Sequence, residues 1–468
     1  MSDQSKPSSM VFTQYYIDCL SQASYLVGDT STGKAVVVDP RRDIAEYLED
    51  AKAQGLTIVG MVNTHFHADF LSGHLELAQE TGAWIGYGAA AQPEFDFRAL
   101  ADGERITLGE VSMEIMATPG HTPESISVLV YQHAGDEVAY GVLTGDALFI
   151  GDVGRPDLLA SVGVTADELG RMLYDSVQHK LMSLPDDVRV FPAHGAGSAC
   201  GKNLSTERQS TIGEQRKFNY ACQPMSEEAF VEVVTAGQPS APAYFIYNAT
   251  LNKQGREVRD THAEVPAMSD GEVTAALADG VLLLDARDQQ EFAAGHYRGA
   301  YNVPWDGRLA ETVGTVLTPE QSVVIIAPEG QEQEVATRFA RIGFDKVLGY
   351  VAEPEAFLLA HQDDVTPGSR LNPVQVSEAL ATGEVQVVDI RNEGEVAAGM
   401  LAGAVHIPLA ELVGRTDELD PTKPVLLYCA GGWRSSVGAS FLRARGFADV
   451  SDILGGYNGW LSVQQLAS

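Results

Sequence analysis

The sequence predicts a protein of several α/β domains, and three observations support this. Its 468 residues exceed what one hydrophobic core usually organises, and typical domain sizes indicate about three domains. Apolar runs of strand length alternate with helical patterns along the chain, which is typical of sheets covered by helices. The C-terminal half also matches itself in sequence. With 45% hydrophobic residues, the composition is that of a globular protein.

The internal repeat divides the C-terminal half into two related domains. The segment "DARDQQEFAAGHYRGAYNVPW" from Asp285 recurs without gaps as "DIRNEGEVAAGMLAGAVHIPL" from Asp389, an offset of 104 residues. This period is too long for a solenoid unit and fits a duplicated domain. Each copy has two apolar runs, "VLLLD" and "SVVII" in the first, "VQVVD" and "PVLLY" in the second, followed by helical segments. This pattern predicts a parallel sheet in each copy.

Turn-forming composition places domain boundaries near residues 260 and 367. The predicted domains are therefore 1–260, 261–367 and 368–468. In the first domain, apolar strands such as "LTIVGMVNT", "VSMEIMAT" and "EVAYGVLTG" each end in a polar loop that carries a His or an Asp. We expect two packed sheets covered by helices, with the chemistry collected at one edge.

The charge and the N-terminal sequence restrict the possible partners and compartments. The chain has 31 basic and 64 acidic residues, a net charge of -33, so repulsion opposes binding to nucleic acid or to an anionic membrane surface. The N-terminus, "MSDQSKPSSM", lacks the apolar core of a signal peptide, and no later apolar run has membrane-spanning length. We expect a cytoplasmic protein. Its four cysteines are too few and too scattered for a disulfide framework.

Candidate metal ligands follow the strands of the first domain. One histidine at a strand end is usually a hydrogen-bonded loop residue, but a series of such residues, one strand end after another, is hard to explain structurally. They are His65, His67 and Asp69 in "THFHADFLSGH", His121 in "ATPGHTPES", Asp146 in "LTGDALF" and His194 in "FPAHGAG". Together they predict a metal site at the ends of the strands.

The order H-x-H-x-D, G-H-T, G-D and a late His resembles the metallo-β-lactamase superfamily over roughly residues 10–250. The resemblance implies an αββα sandwich with the metal at one edge of the sheets. Dinuclear members carry a histidine directly after H-x-H-x-D, and it helps to hold a second metal. Here that position is Phe70, whose ring has no lone pair to donate. A single-metal centre is therefore favoured.

Within this superfamily, the sequence is most similar to the persulfide dioxygenases. The resemblance implies one Fe(II) per chain, held by His65, His121 and Asp146, with His67, Asp69 and His194 around these ligands. Two neutral imidazoles and a carboxylate on one face leave open coordination positions, where a substrate sulfur and O2 can both bind, as in non-haem iron oxygenases.

Two further residues of this domain are candidate substrate-binding groups. Arg155, in "GDVGRPDL", matches a position that helps to hold the thiol-bearing substrate in such enzymes, and a guanidinium suits an anionic persulfide or carboxylate. The alternative is a surface or strand-capping arginine. Cys200, in the glycine-rich "HGAGSACGKN", could accept or shuttle sulfane sulfur. The alternative is a buried small hydrophobe.

A second reactive site is predicted in the last domain, where "PVLLY" runs into "CAGGWRSS" and then into a helix. Loop N–H groups, the helix dipole and Arg434 favour negative charge on Cys429, which predicts a nucleophile. The pattern C-x-x-G-x-R-S resembles the rhodanese active-site loop, over about residues 370–468. The resemblance implies that Cys429 carries sulfane sulfur as a persulfide, with Gly431, Gly432 and Trp433 on the substrate side.

The first copy of the repeat lacks this chemistry. Aligning the two copies by their shared "GF" ending puts Ile326 where Cys429 stands and Gln331 where Arg434 stands. The first copy then has neither nucleophile nor cation. We expect it to be a catalytically inactive rhodanese-like domain that serves in scaffolding, domain positioning or oligomer contacts.

The domain order resembles the multidomain persulfide dioxygenase–sulfurtransferases of bacterial sulfide detoxification. It implies that O2 oxidises a low-molecular-weight thiol persulfide to sulfite and thiol, while the Cys429 persulfide converts sulfite to thiosulfate, or the reverse. Fusion keeps the shared substrate at high effective concentration. Two alternatives stay open, a thioester hydrolase of the glyoxalase II kind with attached rhodanese domains, and a sulfur carrier or sensor. A homo-oligomer is expected.

Overall fold

A computed structural model of the protein describes residues 8–158, 163–238, 240–260, 263–397 and 399–467. Two six-stranded mixed sheets form its N-terminal part. The first sheet runs in chain order through β1 Met10–Ile17, β2 Gln22–Asp29, β3 Lys34–Val38, β4 Thr57–Val62, β5 Trp84–Gly88 and β6 Arg98–Leu100. The second has the order β12-β11-β10-β9-β8-β7 and comprises β7 Arg105–Thr107, β8 Ser112–Ala117, β9 Ile126–Tyr131, β10 Gly141–Gly145, β11 Arg189–Pro192 and β12 Ser210–Thr211.

Helices cover the outer faces of both sheets. They are α1 Ala45–Ala53, α2 His74–Thr81, α3 Ala166–Asp175, α4 Ile212–Phe218 and α5 Glu227–Thr235, and α6 Tyr244–Leu251 follows them in the chain. The start of α3 follows from a capping box, in which the Thr165 hydroxyl accepts from the N–H of Glu168 and the Glu168 carboxylate accepts from the N–H of Thr165.

The alternation of side chains along the strands produces the layers. On β2, Tyr25 and Val27 face the second sheet, whereas Leu26 between them packs towards α1 and α2. On the second sheet, Val142 belongs to the outer core that includes residues of α3 and α5 such as Phe230. An apolar core therefore lies between the sheets and another on each outer face, and the predicted αββα sandwich is confirmed.

Two five-stranded parallel sheets form the C-terminal half. The first has the order β13-β18-β17-β14-β16, with β13 Ala267–Met268, β14 Leu282–Asp285, β16 Tyr301–Asn302, β17 Val323–Ile326 and β18 Val347–Val351, and a separate ribbon joins β15 His296–Tyr297 to β19 Val365–Thr366. The second has the order β20-β24-β23-β21-β22, with β20 Ser369–Leu371, β21 Gln386–Asp389, β22 Val405–His406, β23 Val425–Tyr428 and β24 Val450–Ile453. The identical order reflects the repeat.

Helices accompany each of these sheets. Those of the first copy are α7 Asp270–Ala278, α8 Gln289–Ala294, α9 Leu309–Val316, α10 Glu332–Arg341 and α11 Pro354–Ala360. Those of the second are α12 Pro373–Thr382, α13 Glu393–Val396, α14 Leu409–Leu412, α15 Trp433–Ala444 and α16 Gly456–Ala467. The predicted α/β fold class, with parallel sheets in the C-terminal half, is confirmed.

Strand register corrects the alignment of the two copies by one residue. Asp285 lies opposite Ile326 on the neighbouring strand, and Asp389 lies opposite Tyr428 in the same way. The residue that follows the strand, as Cys429 does, is therefore Ala327 in the first copy. Aligning the helix ends gave Ile326 because the loop and helix between strand and "GF" differ in length between the copies. Neither residue is a nucleophile.

The described residues fall into two compact units. One comprises the chain up to Gln238 together with 245–260, and the other comprises 240–244 together with 263–467. Residues 261 and 262, where the first predicted boundary falls, lie outside the described residues, and the three domain ranges stay a prediction. No helix in the described parts of the chain is long and apolar enough to span a membrane.

Candidate metal centre and sulfur-transfer loop

The predicted metal ligands meet where four strands end. His65 comes shortly after β4, and His121, Asp146 and His194 come after β8, β10 and β11. The strands β8, β10 and β11 run in the same direction, so their carboxyl ends share one edge of the second sheet. The packing of the two sheets brings the loop after β4 to this edge.

His65, His121 and Asp146 form one buried group. Asp146 Oδ2 lies 3.8 Å from His65 Nε2 and 3.5 Å from His121 Nε2. One potential ligand atom from each residue lies within 4.8 Å of the other two, and the three residues are at most 2% exposed. Asp146 Oδ2 has no hydrogen-bond partner among the described residues. The three atoms could hold one metal ion.

Hydrogen bonds fix the tautomers of both histidines. The Thr64 hydroxyl donates to Asp39 Oδ2 at 2.9 Å, so its oxygen is left to accept from His65 Nδ1 at 3.0 Å. His121 Nδ1 donates to the carbonyl oxygen of Arg155 at 2.9 Å. With the proton on Nδ1, each Nε2 presents its lone pair to Asp146 Oδ2, as a metal ligand would.

The ionisation of the group suits a divalent cation. Burial, together with His67, lowers the pKa of His65 well below its usual range, so the imidazole is neutral. Burial alone would raise the pKa of Asp146, but His194, which also contacts Asp146 Oδ1, outweighs it and lowers that pKa below its usual range. A bound metal ion would take up two imidazoles in the neutral form and one carboxylate.

Asp69, His194 and Cys200 form a second group, which sequence reasoning did not anticipate as a cluster. Their potential ligand atoms also lie within 4.8 Å of one another. His194 Nδ1 contacts Asp146 Oδ1 and His194 Nε2 contacts Asp69 Oδ2, each at 2.8 Å. Burial would lower the pKa of His194, but these two carboxylates raise it well above its usual range. Burial, and then Asp69, raises the pKa of the Cys200 thiol well above its usual range.

The side chains of His67 and Phe70 pack against each other next to these groups. His67 Nε2 is held by Asp39 Oδ1 at 2.9 Å, and the Phe70 ring packs on the His67 ring with centroids 4.3 Å apart. The Asn252 amide donates to the carbonyl oxygens of both residues at 2.8 Å. Sequence reasoning missed Asp39, although it ends the apolar run "AVVVD" in the same way as the predicted ligands. No local signal marks Asn252, which lies on a distant segment.

The segment that carries Arg155 closes over the metal group. A Cβ at Gly154 would clash with the carbonyl oxygen of Asp146, so only glycine fits there. The Arg155 guanidinium donates to both carboxylate oxygens of Asp157 at 2.7 Å, and the Arg155 N–H donates to the Cys200 carbonyl at 3.1 Å. The structure thus brings Arg155 and Cys200 to the metal group, while their predicted role in binding substrate stays a prediction.

The Cys429 loop has the strand–loop–helix setting that the sequence predicts. Cys429 follows β23 and is 1% exposed, and α15 begins at Trp433. Gly432 adopts a left-handed conformation, φ 93°, and its N–H donates to Cys429 Sγ at 3.1 Å. Gly431 is exposed at the rim of the loop. The Trp433 ring packs on Gly307 of the first copy, where a Cβ would lie 2.6 Å away.

Arg434 is fixed beside this loop by a residue of the repeated segment. Its guanidinium donates to both carboxylate oxygens of Glu395, at 2.7 and 2.6 Å. Burial would lower the pKa of Arg434, but Glu395 and then Cys429 raise it. The repeat signalled Glu395, because it matches Glu291 of the first copy, but not its pairing with Arg434. The cation therefore lies close to the sulfur in a fixed geometry.

Comparison with known proteins assigns both kinds of domain. A model of the Metallo-beta-lactamase superfamily matches residues 17–194, and a model of the Rhodanese-like domain matches 269–352 and 372–463. The Homo sapiens protein named Persulfide dioxygenase ETHE1, mitochondrial, is 32% identical over 217 residues, which are 45% of this chain and 75% of that protein. The chain belongs to the metallo-beta-lactamase superfamily.

Further relatives of this superfamily support the same assignment. A crystal structure of a metallo-beta-lactamase from Staphylococcus aureus subsp. aureus COL is 32% identical, with a TM-score of 0.66, and the match covers 73% of this chain and 98% of that one. The Beta-lactamase hydrolase-like protein of Agrobacterium fabrum is 28% identical over 250 residues, 47% of this chain and 54% of that protein. The predicted family, a metallo-β-lactamase enzyme domain of the persulfide dioxygenase kind fused to two rhodanese-like domains, is confirmed. So is the prediction of a metal site.

Proposed function

We propose that this protein oxidises a low-molecular-weight thiol persulfide with O2 at one Fe(II) and transfers sulfane sulfur through Cys429. The observation that carries the first part is Asp146 Oδ2, a buried, ionised oxygen that faces two Nε2 lone pairs without any donor among the described residues. Such an arrangement is costly without a cation, because lone pairs and negative charge oppose one another. The similarity to a persulfide dioxygenase supports the substrate class.

The donor set favours iron in a single site. His65, His121 and Asp146 would hold the ion, and bound Fe(II) supplies the redox chemistry that lets O2 react with a closed-shell sulfur anion. In the second group, both His194 nitrogens are engaged by carboxylates and the Cys200 thiol stays neutral. These residues therefore act as a hydrogen-bonded support for Asp146, which favours one metal per chain.

The overall reaction balances with water as a co-reactant. R–S–SH, O2 and H2O give R–SH and sulfurous acid, which ionises to sulfite at neutral pH. Two residues are proposed to lie on the substrate side because of their placement. The Arg155 carbonyl accepts a hydrogen bond from His121 Nδ1, and the Cys200 carbonyl accepts one from the Arg155 N–H. The guanidinium of Arg155 would hold the anionic end of the substrate, and Cys200 would lie beside the persulfide sulfur.

The second activity uses the Cys429 loop. Cys429 Sγ attacks the outer sulfur of a donor, the donor S–S bond breaks, and the leaving group departs with the electron pair. The resulting Cys429 persulfide passes its outer sulfur to an acceptor. With sulfite as acceptor the product is thiosulfate, and with thiosulfate as donor the same steps run in reverse. The N–H of Gly432 and the paired Arg434 would stabilise the sulfur anion.

The homo-oligomeric state and the cytoplasmic location stay predictions.

Metal content and oxygen uptake together test the proposal. We expect about one iron per chain in protein loaded anaerobically with Fe(II), and O2 consumption that depends on added thiol persulfide, because the group offers one set of three ligands. Measurement requires elemental analysis and an oxygen electrode. Two zinc ions per chain with hydrolysis of acyl thioesters and no O2 uptake would favour the thioester hydrolase. Sulfur uptake by Cys429 without any O2 use would favour the carrier.

Phe70→His tests why one metal is favoured. A histidine at this position, next to Asp69 in the sequence and packed on His67, would offer an additional ligand, so we expect metal content to rise above one per chain and persulfide-dependent O2 uptake to fall. Phe70 is 1% exposed, so the substitution also costs stability, on the order of 1–3 kcal/mol. Phe70→Leu is the matched control, since it loses the ring without gaining a ligand. Equal metal content in both variants would contradict the explanation.

A further inference from the structure

A closed ring of polar contacts surrounds the Cys429 sulfur. The N–H of Gly432 donates to Sγ at 3.1 Å, Sγ lies 3.6 Å from Ser435 Oγ, and Ser435 Oγ lies 3.5 Å from Asp452 Oδ2. Arg370 completes the ring. It donates from Nε to Asp452 Oδ1 at 3.0 Å, and from Nη2 to Asp452 Oδ2 at 2.9 Å and to the Gly432 carbonyl at 3.1 Å.

This ring is buried, and burial makes its ion pair expensive. Ser435 and Asp452 are fully buried, and the side chain of Arg370 is 6% exposed. Removing two charges from water costs several kcal/mol per ion, and a buried pair often contributes no net stability against apolar residues of similar size. A buried pair next to a reactive sulfur therefore calls for a functional explanation.

The first copy of the repeat has neither member of this pair. The sheet orders match β20 and β24 to β13 and β18. Arg370 lies opposite Asp452 on β20 and β24, and the corresponding partners on β13 and β18 are Ala267 and Tyr350. The strands on the other side match as well. Asp452 lies opposite the penultimate residue of β23, and Tyr350 lies opposite the penultimate residue of β17.

Another buried ion pair serves as an internal comparison. Asp285 pairs with Arg287 in the first copy, and Asp389 pairs with Arg391 in the same way in the second. This pair occurs in both copies, with and without a nucleophile, so it supports the fold. The Arg370–Asp452 pair occurs only in the copy that has Cys429, and it therefore accompanies the chemistry.

We propose that Arg370 and Asp452 are positioning residues for sulfur transfer at Cys429, an inference that rests on the proposed sulfurtransferase function. Arg370 holds the carbonyl of Gly432 and so aims the N–H of the same residue at the sulfur. Asp452 holds Ser435 in reach of the sulfur on the other side. The sulfur is thereby placed between two hydrogen-bonding groups whose positions are fixed from elements far apart in sequence.

The Ser435 hydroxyl can serve both charge states of the sulfur. When Cys429 is a thiol, S–H donates to Ser435 Oγ while the hydroxyl donates to Asp452. When the sulfur is an anion, the hydroxyl turns its hydrogen to the sulfur. The 3.5 Å contact with Asp452 is long for an O–H···O bond, so the hydroxyl is not locked onto the carboxylate. Asp452 thus supplies the acceptor that the Ser435 hydroxyl requires when Cys429 is a thiol.

Asp452→Asn tests this role in a double-mutant cycle with Ser435→Ala. Asparagine has an acceptor oxygen at one of the two carboxylate positions and an NH2 donor at the other, so it cannot accept from Arg370 Nε, Arg370 Nη2 and Ser435 together. We expect kcat for sulfur transfer from thiosulfate to a thiol to fall about tenfold, the effect of one oriented hydrogen bond, with KM for thiosulfate changed by less than about twofold. In the Ser435→Ala background the same substitution should lower kcat by less than about threefold, because much of its effect passes through Ser435.

Asp285→Asn is the matched control, because it replaces a buried, arginine-paired carboxyl group in the copy that has no nucleophile. It should leave kcat unchanged. Equal factors for Asp452→Asn in both backgrounds, or a kcat within about twofold of the wild type, would show a merely structural role. If thermal melting shows that Asp452→Asn does not fold, Arg370→Lys replaces it, with the same expected fall in kcat. Absence of sulfur transfer in the wild type would instead overturn the proposed function, and this inference with it.

Discussion

Replacing His121 with alanine is expected to abolish persulfide-dependent O2 uptake while leaving sulfur transfer through Cys429 intact. The substitution removes one of the two Nε2 atoms that face Asp146 Oδ2, so that of this pair only His65 Nε2 remains. Loss of a residue that merely supports a ligand weakens metal binding about 10–100-fold, so loss of a ligand should lower iron affinity at least about a hundredfold. Elemental analysis and an oxygen electrode measure the two effects.

The specificity of this result depends on the two sites belonging to different compact units. His121 lies in a unit with its own apolar cores, and Cys429 lies in the other unit. His179→Ala is the matched control, since His179 is an exposed histidine of the same unit, paired with Asp175. It should leave iron content and O2 uptake unchanged. Retention of iron by the His121 variant would contradict the ligand assignment, and loss of both activities would contradict the two-site proposal.

The candidate metal ligands were predictable because each lies in the loop that follows an apolar strand. The resemblance to the persulfide dioxygenases then singled out His65, His121 and Asp146 among these candidates, and the structure brings the three together. The αββα layers followed from the same pattern. Asp39 ends a strand in the same way and could have been found by the same rule. Asn252 could not, because it reaches the site from a distant segment.

The sulfur-transfer loop shows the limit of sequence reasoning in a different way. The motif identified Cys429 and Arg434, since the strand, the loop and the helix are contiguous. The contacts that hold this loop come from Glu395, Asp452 and Arg370, which belong to three other elements. Their positions depend on strand order and register, which one sequence does not specify. The one-residue error in aligning the copies has the same origin, because strand pairing and helix length vary independently.

Replacing Cys429 with serine is expected to abolish sulfur transfer and to leave persulfide-dependent O2 uptake intact. A serine oxygen cannot carry sulfane sulfur as a persulfide, so transfer should fall more than about a thousandfold, the scale expected for loss of a nucleophile. The side chains are similar in size, and the loop contacts from Gly432 and Arg434 remain available. Transfer from thiosulfate to a thiol measures the first effect, and mass spectrometry of the Cys429 peptide detects the extra sulfur atom only in the wild type.

Cys222→Ser separates this result from a general effect of losing a thiol. Cys222 is 4% exposed and belongs to the apolar core under the second sheet of the first unit. Burial raises the pKa of its thiol to about 12, so it does not act as a nucleophile at neutral pH. Its replacement should leave sulfur transfer unchanged. If sulfur transfer survives in Cys429→Ser but is lost in Cys222→Ser, the activity would have to be assigned to Cys222.

The products of the Cys429 variant also decide how the two sites are coupled. If sulfite from the metal site is the acceptor for the Cys429 persulfide, the wild type supplied with persulfide and O2 releases thiosulfate, and Cys429→Ser releases sulfite instead. If the coupling runs in reverse, thiosulfate plus a thiol drives O2 uptake in the wild type and none in the variant, because Cys429 makes the persulfide. Cys429→Ser therefore changes the product in the first case and removes the substrate of the metal site in the second. Sulfite and thiosulfate measured together in a sealed oxygen-electrode cell distinguish them.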